Sequence, residues 1–293
     1  GGISMSGLAE ILLKEGFTIS GSDNKESALT DHLEKLGAKV FYGQKASNII
    51  SGVDVVVYTA AIHPDNEEFA EAVKQNLPML TRAELLGQLM TNYDVPIAIS
   101  GTHGKTTTTS MLSHILLAAD TDPTISVGGI LKAIHGNIRV GHSDNFITEA
   151  CEYMDSFLSL KPKIEIILNI DSDHLDYFKD IDHIVSSFDK FAHLVPGSGT
   201  IIAYDANPFV NQVIRDLDNV VTFGLSENCD YYAANIKFNE DGMPSFDVCH
   251  DGKLLSRVQL AVPGEHNILN ALAAFTCACV LGVEPALTKE TLE

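Results

Sequence analysis

The chain has 293 residues, and at about 150 residues per domain this length predicts two domains. Hydrophobic residues make up 45% of the chain and charged residues 20%, a composition that excludes a disordered, collagen-like or coiled-coil protein. The formal net charge of −20 would repel a nucleic-acid backbone, so we expect no nucleic acid as a partner.

The sequence carries no membrane or export signal. No apolar run approaches the length of about 18 residues that a spanning helix needs, and no segment has the pattern of a signal peptide. We therefore expect no membrane partner and a place in the cytoplasm. The five cysteines include no Cys-x-x-Cys pair, which predicts reduced thiols.

Short apolar runs alternate with amphipathic stretches, which predicts an α/β fold with a parallel sheet. We expect a Rossmann-like first domain over residues 1–94, ending where Asp94 and Pro96 break the pattern. Its predicted helices and strands are helices at 8–15, 27–36, 66–75 and 81–90 and strands at 17–23 and 53–59.

The second predicted domain, residues 95–293, has a mostly parallel sheet and a small antiparallel sheet. Its predicted strands lie at 96–101, 145–150, 164–170 and 200–204. One predicted helix follows the first of these strands and ends at about 119, and two others span 181–191 and 266–281. Residues 231–263 alternate in the manner of an antiparallel meander with a turn at 240–242.

The two ends of the chain are abrupt. Gly1 and Gly2 lie inside an expected glycine turn, and no strand precedes them. Because a doubly wound domain needs its first strand near the middle of the sheet, we expect that residues preceding Gly1 are missing.

The strongest motif is SGTHGKTT at 100–107, which follows an apolar strand and precedes a helix. In a phosphate-binding loop, glycines let backbone N–H groups surround phosphate oxygens, the lysine reaches the outer phosphates and the next hydroxyl binds Mg²⁺. The candidate residues are Gly101, Thr102, His103, Gly104, Lys105, Thr106 and Thr107. The first glycine of the usual motif would fall at Ile99, so the alternative is a turn that merely contains Gly-Lys-Thr.

Carboxylates and a histidine follow two other predicted strands. Glu149 ends one strand, ahead of Glu152 and Asp155, where it can share Mg²⁺ with Thr106 or simply face solvent. His174, in NIDSDHLD at 169–176, is either a ligand of a second metal ion or a structural residue.

Three further segments are weaker signals. His266, Asn267 and Asn270 open the last helix and either read a base edge or cap that helix. GGISMSG at 1–7 together with Asp23 is similar to part of a dinucleotide fingerprint. His135 and His142, which flank a glycine-containing stretch, are interpreted as loop residues.

Taken together, these segments resemble the Mur ligase family over almost the whole chain. The matching stretches are GGISMSGLAE, SGSD, TRAELLGQLM, SGTHGKTTT, the run of Glu149 to Glu152 with SFL, DHLD and HNILNA. His103 within the loop is typical of the branch that joins L-alanine to UDP-N-acetylmuramate. The resemblance implies a UDP-sugar domain, an ATPase domain and a third, amino-acid-binding domain that is absent from this chain.

The resemblance also implies the cofactors ATP and Mg²⁺ and an acyl phosphate formed on the lactyl carboxylate of UDP-N-acetylmuramate, which the amine of L-alanine then attacks. Lys105 would hold the outer phosphates, Thr106 and Glu149 the first Mg²⁺, and His174 the second. The adenine residues implied are His266, Asn267 and Asn270. The UDP-sugar residues implied are Gly2, Ser4, Met5, Ser6, Asp23 and His63.

Several alternatives stay open at this point. Within the family these are the ligase that recycles murein tripeptide and, more distantly, folylpolyglutamate synthetase. Outside the ligases, they are a phosphate-loop kinase or NTPase and a non-catalytic nucleotide-sugar module. Many family members carry a carbamoylated lysine in the helix after the DH motif. Lys190 is the nearest lysine there, but the sequence does not assign this role to it.

Overall fold

The computed structural model describes residues 2–59 and 61–293. The first part of the chain forms two separate pairs of parallel strands, flanked by four helices. In chain order its elements are α1 (Ile3–Lys14), β1 (Ser20–Asp23), α2 (Ala28–Lys35), β2 (Lys39–Tyr42), β3 (Val56–Tyr58), α3 (Glu67–Lys74), β4 (Met79–Thr81) and α4 (Arg82–Met90). Strand β1 pairs with β2, and β3 pairs with β4.

Local sequence signals explain where these helices begin. Helices α2 and α4 each start with a capping box, built on Ser27 and Thr81, and the side chain of Asn66 caps α3. The predicted glycine turn at 1–7 is wrong in extent, because α1 already begins at Ile3. Only Gly2, with φ of 85°, has a left-handed backbone among the described residues of that segment.

The second part of the chain is built on one sheet. Its elements are β5 (Val95–Ser100), α5 (Lys105–Ala118), β6 (Thr124–Leu131), β7 (Gly136–Arg139), β8 (Asn145–Glu149), β9 (Ile164–Ile167), α6 (Ile181–Ala192), β10 (Thr200–Tyr204), α7 (Pro208–Ile214), β11 (Val220–Gly224), β12 (Tyr231–Phe238), β13 (Pro244–His250), β14 (Lys253–Gln259), α8 (His266–Val280) and α9 (Pro285–Leu292). A short 3₁₀ segment spans Tyr153–Ser159.

This sheet has ten strands in the order β14-β13-β12-β11-β10-β9-β5-β8-β6-β7. Neighbours from β6 to β12 are parallel, which confirms the predicted α/β class. The predicted meander is present as β12, β13 and β14, and it continues the large sheet. Because β5 lies between β8 and β9, the loops that follow these three strands meet at one edge.

The hairpin of β6 and β7 is not among the predicted elements. Gly128 and Gly129 interrupt its apolar pattern, so the sequence there is typical of a loop. His135, with φ of 53°, lies in the turn of the hairpin, and His142 lies in the loop after it. Strands β2, β4 and β11 and helices α7 and α9 are also absent from the sequence-based prediction.

Two apolar clusters cover the two faces of the large sheet. Ile97 and Ile99 of β5 point into one cluster with α5 and α8, while Ala98 between them points into the other with α1, α4 and α6. This alternation is what a strand buried on both faces requires. Among the described residues, no helix is both long and apolar enough to span a lipid bilayer.

Candidate active site at the edge of the central sheet

The predicted phosphate loop connects β5 to α5. Gly101 and Gly104 have φ of 133° and 89°, which favours glycine at both positions. A Cβ atom at Gly104 would lie 2.3 Å from the side-chain oxygen of Asn270, so the loop also lacks room for a side chain there. Helix α5 begins at Lys105 and directs its N-terminal N–H groups toward this loop.

Asn169, which follows β9, holds the loop in place. Its side-chain oxygen accepts from the N–H of His103 at 2.8 Å, and its amide donates to the carbonyl of His103 at 2.9 Å. The hydroxyl of Thr102 accepts from the N–H of Asp171 at 2.9 Å. The sequence analysis did not single out Asn169 or Asp171 for this role, although both lie in the NIDSDHLD segment.

Lys105 is held inside the loop by several acceptors. Its ammonium donates to the carbonyls of Gly101 and Thr102 and to the Oε2 atom of Glu152 at 2.9 Å. Only 15% of the Lys105 side chain and 3% of the Glu152 side chain are exposed. The cation therefore lies at the place where phosphates would bind, with Glu152 as its partner.

The structure places the side chains of Thr106 and Glu149 in contact. The Thr106 hydroxyl donates to Oε2 of Glu149 at 2.9 Å, and the other carboxylate oxygen accepts from the N–H of Gly128 in β6. A hydroxyl and a carboxylate beside a phosphate loop are the hard oxygen donors that suit Mg²⁺. Within residues 2–59 and 61–293, no three His, Cys, Asp or Glu side chains form a metal-binding cluster.

His174 lies on the loop after β9, in a left-handed conformation with φ of 51°. Its N–H donates to the carboxylate of Asp173 at 2.7 Å, and its ring lies 4.8 Å, centroid to centroid, from that of Tyr153. The strand order therefore brings the loops of Glu149 and His174 to either side of the phosphate loop.

The three residues at the start of α8 divide into two groups. His266 lines a cavity of about 280 Å³ together with Tyr204, Leu225 and Leu269. Asn267 and Asn270, in contrast, are buried and bonded within the chain.

The amides of these two asparagines have protein partners. That of Asn267 donates to the carbonyl of Pro263 at 2.7 Å, and that of Asn270 donates to Asn267 at 3.1 Å. The side-chain oxygen of Asn270 accepts from Thr108 of α5 at 3.4 Å. Asn270 therefore links α8 to α5 and lies beside Gly104, while Asn267 supports Asn270.

The predicted UDP-sugar residues cluster only in part. The N–H of Gly2 donates to Asp23 at 3.4 Å, and the hydroxyl of Ser6 donates to the carbonyl of Gly2 at 3.0 Å. Ser4 accepts from Arg82 at 3.0 Å. Arg82 is thus a residue that the TRAELLGQLM match contained but that sequence reasoning did not assign.

The other two members of this set are less engaged. Met5 is half-buried in α1, while His63 is exposed in the turn after β3. No hydrogen bond joins the imidazole of His63 to the other predicted sugar residues within the described part of the chain.

Asp23 is the titratable group of this cluster. Burial raises the pKa of its carboxyl, but hydrogen bonds from the N–H groups of Lys25 and Gly2 outweigh burial and leave the pKa below its ordinary value. The carboxylate is therefore favoured in its ionised form and accepts hydrogen bonds at the end of β1.

A glycine loop between a buried strand and a helix, with a lysine, a hydroxyl and a neighbouring carboxylate, defines a phosphate-loop nucleotide-binding protein of the α/β class. Family comparison narrows this class. Residues 1–94 match the model described as "Mur ligase family, catalytic domain", and residues 99–278 match the "Mur ligase middle domain". The chain belongs to the Mur ligase family.

Curated relatives are 51% to 56% identical to this chain over the aligned residues. The UDP-N-acetylmuramate–L-alanine ligase of Agathobacter rectalis is 56% identical over 97% of this chain and 62% of its own length. That of Caldanaerobacter subterraneus is 51% identical over 100% of this chain and 64% of its own length. The chain therefore spans slightly more than three fifths of these relatives.

Solved structures have the same fold. A UDP-N-acetylmuramate:L-alanyl-γ-D-glutamyl-meso-diaminopimelate ligase from Neisseria meningitides matches with a TM-score of 0.90 and 29% identity, over 100% of this chain and 94% of that one. The UDP-N-acetylmuramate–alanine ligase of Thermotoga maritima matches with a TM-score of 0.84 and 29% identity, over 100% and 66%.

Proposed function

We propose that this chain provides the UDP-sugar and ATP domains, residues 1–94 and 95–293, of a ligase that joins L-alanine to UDP-N-acetylmuramate. The observation that carries the proposal is the phosphate loop, with Lys105 inside it and the pair of Thr106 and Glu149 beside it. We assign the substrates from the curated relatives at 51% to 56% identity, because those relatives are named for this reaction.

In the proposed reaction, the γ-phosphoryl group of ATP passes to a carboxylate oxygen of the lactyl group, which releases ADP and leaves an acyl phosphate. The amine of L-alanine then attacks the acyl carbon and displaces inorganic phosphate. Catalysis of such a transfer is mostly positioning and charge neutralisation. Because the reaction needs ATP, we place it in the cytoplasm.

The residues of this chain have distinct roles in the proposal. Lys105 and the N–H groups of the loop hold the outer phosphates. Thr106 and Glu149 would hold one Mg²⁺ and His174 a second, and Mg²⁺ bound there would supply positive charge against the phosphates.

ATP and the UDP-sugar occupy separate sites in the proposal. The cavity beside His266 receives the adenine. Asn267 and Asn270 do not line this cavity; a hydrogen bond joins their side chains at the start of α8. Gly2, Ser4, Met5, Ser6, Asp23 and His63 face the UDP-sugar.

A second candidate is the recycling of murein peptides. The Neisseria ligase, whose printed name includes a tripeptide, superposes with a TM-score of 0.90. Its identity of 29% equals that of the Thermotoga alanine ligase, but it is well below the 51% and 56% of the curated alanine ligases. Fold similarity alone does not select the amine. We therefore favour L-alanine as the acceptor.

The test is ADP release by the natural full-length protein given ATP, Mg²⁺ and UDP-N-acetylmuramate. Release that depends on L-alanine would support the proposal. Release that depends instead on murein tripeptide would select the second candidate, and release without any amine would indicate an NTPase.

Lys105→Ala in that protein tests the site itself. Loss of the ammonium removes charge that compensates the transferring phosphoryl group, so ADP release should fall to background. Lys74→Ala is the matched control, because Lys74 is an exposed lysine on α3. Undiminished ADP release by Lys105→Ala would refute the assigned site.

A further inference from the structure

Two loops of the candidate site are joined by a reciprocal pair of hydrogen bonds. The loop after β8 contributes Tyr153, whose hydroxyl donates to Asp176 at 2.9 Å. The loop after β9 contributes Tyr177, whose hydroxyl donates to Asp155 at 2.7 Å. Each loop thus gives one phenol and receives one, and we name these four residues the tyrosine–aspartate latch.

The surroundings of the latch hold it in an unusual backbone geometry. Met154, Asp155 and His174 all have φ between 51° and 55°, a region that non-glycine residues seldom occupy. Asp155 is fixed further by the hydroxyl of Ser187 on α6, which donates to its second oxygen. Such conformations persist where several contacts determine them together.

Each phenol donates its hydrogen bond to a carboxyl group. The hydrogen bond to Asp176 is the largest cause of a raised pKa of Tyr153, and the hydrogen bond to Asp155 is the largest cause of a raised pKa of Tyr177. Both shifts follow from the same geometry, a phenol O–H that donates across the two loops.

The latch also touches the predicted metal residues. The ring of Tyr153 lies 4.8 Å from the imidazole of His174 and 6.1 Å, edge to face, from the ring of Tyr177. Glu149 and Glu152 lie on the chain just before Tyr153, and His174 lies just before Asp176. A displacement of either loop would therefore change the separation of His174 from Glu149.

We propose that the tyrosine–aspartate latch is a set of positioning residues that holds the His174 loop in register with the Glu149 loop. The coupling between the two loops does not depend on any bound ligand, whereas its effect on Mg²⁺ binding rests on the proposed function. Its residues act through His174 and Glu149 and touch neither substrate.

Hydrogen exchange on this chain, without ligand or metal, tests the coupling. Tyr153→Phe should raise exchange of the hydrogen-bonded amides of Tyr177 and Phe178, which lie in the other loop. Tyr177→Phe should likewise raise exchange at Asp155 and Phe157. Loss of one hydrogen bond to a charged acceptor corresponds to a rise of about tenfold.

Tyr93→Phe is the matched control, because the Tyr93 hydroxyl also has a side-chain partner, Thr124, near the start of β6. It should leave both loops unchanged. A rise confined to the substituted loop would overturn the latch. So would an equal rise in the strand amides of β9, because that result means a general loss of stability.

The second readout is the Mg²⁺ requirement of the natural full-length protein. Tyr153→Phe and Tyr177→Phe should each raise the half-saturating Mg²⁺ concentration several-fold while kcat at saturating Mg²⁺ stays within about twofold. An unchanged Mg²⁺ requirement would overturn the positioning role. If the wild-type protein releases no ADP at all, the proposed function fails, and the exchange result still decides the cross-loop coupling.

Discussion

Glu152 neutralises Lys105 in a region that is almost closed to water. Its carboxylate is 3% exposed and lies 2.9 Å from the ammonium, whose remaining acceptors are two backbone carbonyls. A buried cation that loses its counterion is costly, even where hydrogen bonds remain. The pair therefore gives the Lys105 ammonium a carboxylate partner that is independent of any nucleotide phosphate.

We expect Glu152→Gln to lower the free energy of unfolding by about 1–3 kcal/mol, because the amide keeps the shape of the side chain but not its charge. The loss should shrink when ATP and Mg²⁺ are added, since phosphates replace the missing charge. Chemical denaturation with and without nucleotide measures both effects. The double variant with Lys105→Met should regain stability over Glu152→Gln alone, and an equal loss in both variants would contradict the ion-pair explanation.

Glu165 is a buried carboxyl group whose surroundings raise its pKa. It lies in β9, fully buried, with one carboxyl oxygen accepting from Ser100 at 3.1 Å and the other without a partner in the described structure. Burial raises the pKa of this carboxyl to about 8, which the hydrogen bond from Ser100 only partly offsets. The folded protein therefore keeps Glu165 neutral near pH 7.

Because the pKa is raised above that of the unfolded chain, folding takes up a proton between about pH 4.5 and pH 8. Stability should therefore fall across this window as the pH rises and level off above it. Glu165→Gln removes the titration, so the stability of the variant relative to wild type should rise with pH by up to about 1 kcal/mol per unit.

Urea unfolding at pH 5.5 and pH 8 measures this difference. Glu240→Gln is the control, since Glu240 is exposed in the turn between β12 and β13. A Glu165→Gln difference that does not change with pH would mean that Glu165 is ionised in the folded protein.

At the scale of elements, two helices of the first part pack directly against the second part. Gly87 of α4 faces the 3₁₀ segment, where an added Cβ would lie 1.9 Å from the carbonyl oxygen of Ser159. Gly7 of α1 faces β7, where an added Cβ would lie 2.5 Å from the end of the Ile138 side chain. The first contact is with backbone, and the second is with a flexible group.

This difference predicts unequal effects of two alanine substitutions. Alanine is favoured over glycine in a helix by about 1 kcal/mol, but at Gly87 the clash with backbone should outweigh this gain and destabilise the protein by about 1–3 kcal/mol. Gly7→Ala should cost less, because Ile138 can change rotamer. Thermal unfolding of both variants compares them, and a Gly87→Ala protein as stable as Gly7→Ala would show that α4 can move away from the 3₁₀ segment.

For the whole molecule, the distribution of core residues matters more than the domain boundary expected at 94. Leu8, Ile11, Leu86 and Met90 belong to the same apolar cluster as Phe157 and its neighbours beyond residue 95. The strands β1 to β4, by contrast, are mostly half-exposed. The first part therefore has its best-buried side chains at its contact with the large sheet.

We expect the chain to unfold in one calorimetric transition, because neither part can lose this shared cluster without exposing the other. The calorimetric enthalpy should equal the van't Hoff enthalpy. Two resolved transitions would contradict this expectation and would show that the parts fold as independent units.

The α/β class, a loop between a buried strand and α5, and most of the long helices could be predicted from the sequence alone. These features are local: a buried apolar strand before Gly101, a capping residue before α4, and apolar side chains at helical spacing in α6. Short half-exposed strands such as β2 and β4 carry too little apolar pattern to be recognised. The hairpin of β6 and β7 was not predicted because glycines interrupt its apolar pattern.

Only the tertiary structure decided which chemical groups meet. The sequence placed Lys105, Glu149 and His174 on three separate segments, and the strand order β9-β5-β8 brought those segments to one edge. Three contacts join residues that are distant in the chain. They are the ion pair of Lys105 with Glu152, the hydrogen bonds of Asn169 to the phosphate loop and the tyrosine–aspartate latch. Such contacts depend on strand pairing across long separations, which no local pattern specifies.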